Sequence, residues 1–79
     1  MRYEVTLPSL GEEAEGTATV SFWLVSEGER VKKGDDLLEL TTDKAAFTVP
    51  SPRTGILSER LVEEDEDVDV GDPLCVLET

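Results

Sequence analysis

Thr42-Asp43-Lys44-Ala45, near the middle of the chain, is the stretch whose residue types could do chemistry. Apolar runs flank it: Leu37-Leu38-Glu39-Leu40 before and Phe47-Thr48-Val49 after. Two strand-like runs separated by a few polar residues predict a β-hairpin. Asp43 suits the turn because its short side chain can hydrogen-bond the backbone just ahead. Lys44 is then expected at or beside the tip, a compact amine on a flexible stem held away from the body. That placement suits a handle for covalent attachment better than local catalysis.

Other chemistries are limited by what the sequence lacks. It has no histidine and one cysteine, which excludes histidine-based triads and Cys/His zinc sites. Cys75 lies between Leu74 and Val76 and is expected as a small buried hydrophobe rather than a reactive thiol. No intrachain disulfide can form, which fits a reducing compartment. From Glu63 to Asp69 six of seven residues are acidic, inviting calcium. The calcium loop needs oxygen ligands at fixed alternate positions, a central glycine and a terminal glutamate, and those spacings are absent. A solvated acidic turn is the expectation.

The elements that must hold Lys44 are short strands. The 79 residues suffice for one domain burying roughly 60% of its unfolded surface, with stability of about 4–12 kcal/mol. Tyr3–Leu7 alternates and is ended by Pro8; Ser9–Gly16 is a loop; Thr17–Val25 is the longest β-prone stretch. Its alternation falters around Phe22-Trp23-Leu24, predicting an outward residue or a bend, with Trp23 a packing residue. Turns are expected at Ser26–Gly28 and Val31–Asp35, and Lys32 and Lys33 read as a solvated flank. Val49-Pro50-Ser51-Pro52 cannot supply a full ladder of donors and so belongs at an edge. Gly55 permits a turn or a close approach, and Ile56–Val62 is a further strand.

The second half repeats the first. Gly34-Asp35 recurs 37 residues on as Gly71-Asp72, and the same offset aligns Val31 with Val68, Leu24-Val25 with Leu61-Val62, Leu37 with Leu74 and Leu40 with Leu77. No window shows helical periodicity. Two units of strand, turn, short strand, turn, strand, related by an approximate two-fold axis, predict an all-β flattened barrel or sandwich.

Charge narrows the partners. A formal net charge of −12 disfavours nucleic acid and anionic membranes and favours basic protein partners with salt-sensitive association. No apolar stretch is long enough to span a bilayer as a helix, and no charged-then-apolar signal opens the chain. Ala45–Ser58 contains no acidic residue, which makes it either a less negative docking surface or simply a strand with prolines.

Thr42-Asp43-Lys44-Ala45, with Gly28 sixteen residues before the lysine and Gly55 eleven after it, resembles the lipoyl domain of the dihydrolipoamide acyltransferase component of 2-oxoacid dehydrogenase complexes. The likeness covers essentially residues 1–79 as one domain. It includes Leu7-Pro8-Ser9-Leu10-Gly11-Glu12, Trp23-Leu24-Val25, Glu27-Gly28-Glu29-Arg30-Val31, Lys33-Gly34-Asp35 and Val70-Gly71-Asp72-Pro73-Leu74. The resemblance implies two four-stranded antiparallel sheets and lipoate amide-linked to Lys44. Asp43 and Ala45 would be the neighbours read by the lipoate ligase or lipoyl transferase. It implies a carrier without its own catalytic centre, since the acyltransferase uses a histidine this chain lacks. The carrier would serve a 2-oxoacid decarboxylase component, the acyltransferase core and dihydrolipoamide dehydrogenase. The implied location is the bacterial cytoplasm, or the mitochondrial matrix in a eukaryote.

Biotinyl domains share this fold but usually flank their lysine with methionines, so a biotin carrier of a carboxylase is the main alternative. A glycine-cleavage carrier would be longer, with helical extensions. An unmodified barrel acting as a structural adaptor would need no cofactor. In the family, the loop matching Ser9–Gly16 lies near the lysine turn and helps the decarboxylase recognise its carrier. That loop commonly shows Gly-Glu-Gly where this chain has Gly11-Glu12-Glu13. No Pro/Ala-rich segment precedes Thr79, which fits either a domain cut from a longer protein or a free-standing carrier.

Overall fold

The computed structural model describes residues 1–8, 17–42 and 45–79. Eight strands make up its regular structure: β1 (Arg2–Thr6), β2 (Thr17–Trp23), β3 (Arg30–Val31), β4 (Asp36–Thr41), β5 (Ala46–Pro50), β6 (Gly55–Arg60), β7 (Asp67–Asp69) and β8 (Pro73–Glu78). They form two four-stranded antiparallel sheets, ordered β1-β8-β6-β3 and β5-β4-β2-β7. Advancing every strand by four places converts one order into the other, so the sequence repeat is a repeat of topology.

The duplication extends to single hydrogen bonds. Gly34 and Gly71 both adopt positive φ, 95° and 93°. Beside each, an aspartate side chain accepts a backbone bond three residues back: Lys32 N–H to Asp35 Oδ2 at 2.9 Å and Asp69 N–H to Asp72 Oδ2 at 2.8 Å. Gly28 N–H donates to the Leu57 carbonyl and Asp65 N–H to the Val20 carbonyl, each at 2.7 Å. Both central strands slip register at matching places, between Val20 and Phe22 and between Leu57 and Glu59. Even the strand ends match. Leu24 and Leu61, expected inside their strands, lie just past them, yet each still donates a backbone bond within its own half, to Leu37 O and Leu74 O respectively.

Trp23 and Arg60 are counterparts under this symmetry, and they touch: the guanidinium lies 5.6 Å from the indole ring centre. Two groups exchanged by a two-fold axis can touch only beside it, so this pair marks the axis. Trp23 Nε1–H donates to the Val62 carbonyl at 3.0 Å, giving the buried edge of the ring the partner it requires.

Between the sheets lies the core, built from Val5, Leu7, Val20, Leu37, Leu38, Leu40, Val49, Leu57, Leu74, Leu77 and neighbours. Cys75 is fully buried there, and desolvation pushes its thiol pKa up to about 11. The faltering alternation in β2 is the register slip, and it turns Phe22 out to solvent at 59% exposure. Pro50 lies at the end of β5, an edge strand, where no inner ladder is broken. The acidic run is only partly a turn. Its last three residues form edge strand β7, with Val68 buried and Asp67 and Asp69 accepting bonds from Thr19 and Thr17 at 2.8 and 2.6 Å. Among the described residues no three His, Cys, Asp or Glu are grouped to hold a metal ion.

Candidate functional site

The site is built from the β4–β5 hairpin. Its base is anchored because Leu38 and Leu40 on β4 and Val49 on β5 are buried in the core. Above them the strands pair as Leu40 with Phe47 and Thr41 with Ala46. Thr41 meets Ser21 hydroxyl to hydroxyl at 3.0 Å, tying the hairpin sideways to β2. Thr42 and Ala45 then close the turn: Thr42 N–H donates to the Ala45 carbonyl at 2.8 Å. The Thr42 hydroxyl accepts the Ala45 N–H at 3.2 Å and faces the Ala45 carbonyl at 3.3 Å. In the chain, only Asp43 and Lys44 lie between this pair. Asp43 and Lys44 themselves are outside the described residues, as is the Ser9–Gly16 loop.

Of the three sequence-predicted site residues, Ala45 is therefore the one the structure places: it is exposed, as is Ala46 after it. Two small, exposed side chains leave that flank of the turn open to a group extending into solvent. A primary amine contributed between two pinned residues fits an amide-linked arm. Thr42 is a residue that sequence reasoning passed over as mere motif. Its repeat counterpart is Thr79, also a threonine, and that coincidence was the available signal.

The surroundings are electrostatically lopsided. Thr17 and Thr19, at the turn end of β2, hold the Asp69 and Asp67 carboxylates of β7. On the other side of the hairpin, β5 and the chain through Ser58 carry no carboxylate. Within one sheet the charge thus falls from an acidic edge at β7 to a neutral one at β5. A cleft of about 270 Å³ lies between β1 and the end of β5, lined by Tyr3, Val5, Pro8, Val49, Pro50 and Pro52 among others. It is at the end of β5 away from the turn.

Turn and termini occupy opposite ends. Beyond Pro50 the chain enters β6 at Gly55, which packs so closely on the Glu78 carbonyl that a methyl group there would collide with it. Met1 and Thr79 meet at that same edge, Thr79 N–H donating to the Met1 carbonyl at 2.8 Å. The end of one sheet remote from the turn is thus the end where the other sheet holds both termini.

Comparisons with known proteins agree with this geometry. Residues 3–77 match the biotin–lipoyl family, described as biotin-requiring enzyme. The lipoamide acyltransferase component of the branched-chain alpha-keto acid dehydrogenase complex of Bacillus subtilis is 43% identical over 77 residues, covering 96% of this chain and 18% of the relative. The chain thus spans about a fifth of that relative's length. The lipoyl domain of the 2-oxoglutarate dehydrogenase complex from Azotobacter vinelandii superposes with a TM-score of 0.74 at 26% identity, over 96% of this chain and 95% of that one. The Kluyveromyces lactis urea carboxylase shares the fold, with a TM-score of 0.80 at 18% identity over 99% of this chain and 6% of its own. A duplicated eight-stranded sandwich whose central hairpin is closed by Thr42 and Ala45, matched to the family over residues 3–77, belongs to the biotin/lipoyl-attachment family.

Proposed function

We propose that the chain is a lipoyl carrier domain, with lipoate joined through an amide to Lys44 Nζ, acting within a 2-oxoacid dehydrogenase complex. The observation that carries this reading is the hairpin closed by Thr42 and Ala45 around Asp43-Lys44. The likeness to lipoyl-bearing relatives supports lipoate over biotin. Asp43 and Ala45 are the neighbours a modifying enzyme would read.

Attachment joins the lipoate carboxyl carbon to Lys44 Nζ, expels the activating group from the carboxyl and releases a proton from the amine. The product is neutral, so the turn loses a positive charge. Bound lipoate supplies the redox and acyl-carrying chemistry. The chain's own residues do the rest: the buried base of the hairpin fixes the backbone, and the exposed alanines leave the arm unobstructed. Confinement on a tethered domain raises the arm's effective concentration at each partner site. The partners in this reading are the 2-oxoacid decarboxylase, the acyltransferase core and dihydrolipoamide dehydrogenase.

Intact mass after incubation with a lipoate ligase, nucleotide and lipoate tests the assignment. The parent gains one lipoyl increment and Lys44→Arg gains none. Modification by a biotin ligase alone would overturn lipoate in favour of a carboxylase carrier. Modification by neither enzyme would leave a structural barrel.

A further inference from the structure

The two sheets are alike in topology and unlike in charge. Strands β1, β8, β6 and β3 carry Arg2, Arg30 and Arg60 against Glu4, Glu59 and Glu78, which cancel. Strands β5, β4, β2 and β7 carry Asp36, Glu39, Asp67 and Asp69 and no lysine or arginine. Both ion pairs found among the described residues lie on the neutral sheet. The outer face of the acidic sheet also carries Phe22. On β2, Ala18 and Val20 are buried, so Thr17 and Thr19 face out. Strict alternation would then turn Ser21 out and Phe22 in. The register slip after Val20 reverses this and sets Phe22 opposite Glu39, which stands between buried Leu38 and Leu40 and faces Thr48 on β5. The matching slip in β6 sets out Glu59, which pairs with Arg2 at 3.6 Å. One device thus displays a paired glutamate on the neutral sheet and a bare phenyl ring on the acidic one.

We propose that the outer face of the acidic sheet, centred on Phe22 and Glu39, docks a protein segment that presents an apolar side chain between lysines or arginines. An exposed aromatic ring supplies the apolar anchor that protein interfaces favour. Charge decides the flanks of the partner. Asp67 and Asp69 are held on this sheet by the Thr19 and Thr17 hydroxyls at 2.8 and 2.6 Å, so the acidic rim is fixed before a partner arrives. A basic segment meets attraction at every strand, whereas a second copy of this face would meet its own sign. The face is built of strands alone, and nothing in it depends on whether Lys44 is modified.

The test follows backbone amide shifts of the unmodified domain, labelled with nitrogen-15, on titration with the capped peptide Lys-Lys-Leu-Lys-Lys. A second peptide has serine in place of leucine. The variants are Phe22→Ser, Glu39→Gln and Ile56→Ser, the last removing an apolar side chain that is 44% exposed on the neutral sheet. Shifts in the parent centre on Phe22, Glu39 and Thr48, and binding weakens as salt rises from about 0.01 to 0.15 M. Phe22→Ser weakens the leucine peptide several-fold and the serine peptide hardly at all, so the two apolar groups are coupled. Glu39→Gln weakens both peptides, and Ile56→Ser weakens neither. The unbound spectra show that each variant keeps the parent fold, and Glu39→Gln with the serine peptide still decides the matter where Phe22→Ser does not. Equal binding of the two peptides to the parent would overturn the proposal. So would shifts centred on the acidic run from Glu63 and indifferent to Phe22. Shifts at Phe22 and Glu39 that move when the domain alone is diluted would assign the face to a second copy instead.

Discussion

Asp65 occupies a left-handed backbone, φ 72°, at the place where the first repeat has Gly28 at φ 89°. Glycine adopts that region freely, whereas a side chain costs about 1–2 kcal/mol there, less for aspartate. A methyl group on Gly28 would meet nothing within 4 Å, so the cost of Gly28→Ala is conformational. Urea unfolding should find Gly28→Ala destabilised by about 1 kcal/mol and Asp65→Gly unchanged or slightly more stable. Gly55→Ala should lose more, about 1–3 kcal/mol, because its methyl runs into backbone rather than space. Cys75 gives a pH signature at the same scale. Its folded pKa, about 11, lies above the ordinary 9.0, so the folded state holds its proton more tightly. Stability is unaffected by this group below about pH 9. It falls between about pH 9 and 11 as the unfolded thiol ionises first, by roughly 2 kcal/mol in all. Replacing Cys75 with alanine removes that decline, so the parent-minus-variant difference in urea midpoint should narrow across this window.

At the scale of elements, the sequence disclosed more of the fold than of the site. The 37-residue offset foretold three strands in each half and the matching of their turns, since Gly-Asp and Leu-Val recur where the chain must repeat a bend; the two four-stranded sheets came from the family resemblance. Pro50 marked an edge strand because proline withholds a donor. Strand ends were less legible. Leu24-Val25 and Leu61-Val62 are good strand formers, and it is tertiary pairing that ends β2 and β6 before them. The acidic run hid β7 because a two-sided pattern of aspartates looks like a turn until Thr17 and Thr19 are found beside it. The part Thr42 plays in closing the hairpin was signalled only by its threonine counterpart Thr79, because residue types do not specify that the Ala45 N–H selects the Thr42 hydroxyl.

For the whole molecule, a charge of −12 on 79 residues is a standing self-repulsion. Among the described residues only two ion pairs oppose it, Met1 amine with Glu78 and Arg2 with Glu59, both largely exposed and longer than 3.5 Å. Such pairs contribute little, so screening should help more than they do. Raising sodium chloride from about 0.01 to 0.5 M, which shortens the screening length several-fold, should raise the thermal midpoint by a few degrees. The same salt should slow association with a basic partner protein.

The longest dimension of the molecule is 33 Å, against 21 and 17 Å across, and Met1 and Thr79 meet at the end away from the turn. A tether joined at either terminus would therefore hold the domain by its heel. The stiff sandwich then works as a boom rather than a ball, adding most of its own length to the radius the tether allows. Moving the point of suspension to the turn end, with no residue of the turn altered, would shorten that radius by about the length of the boom.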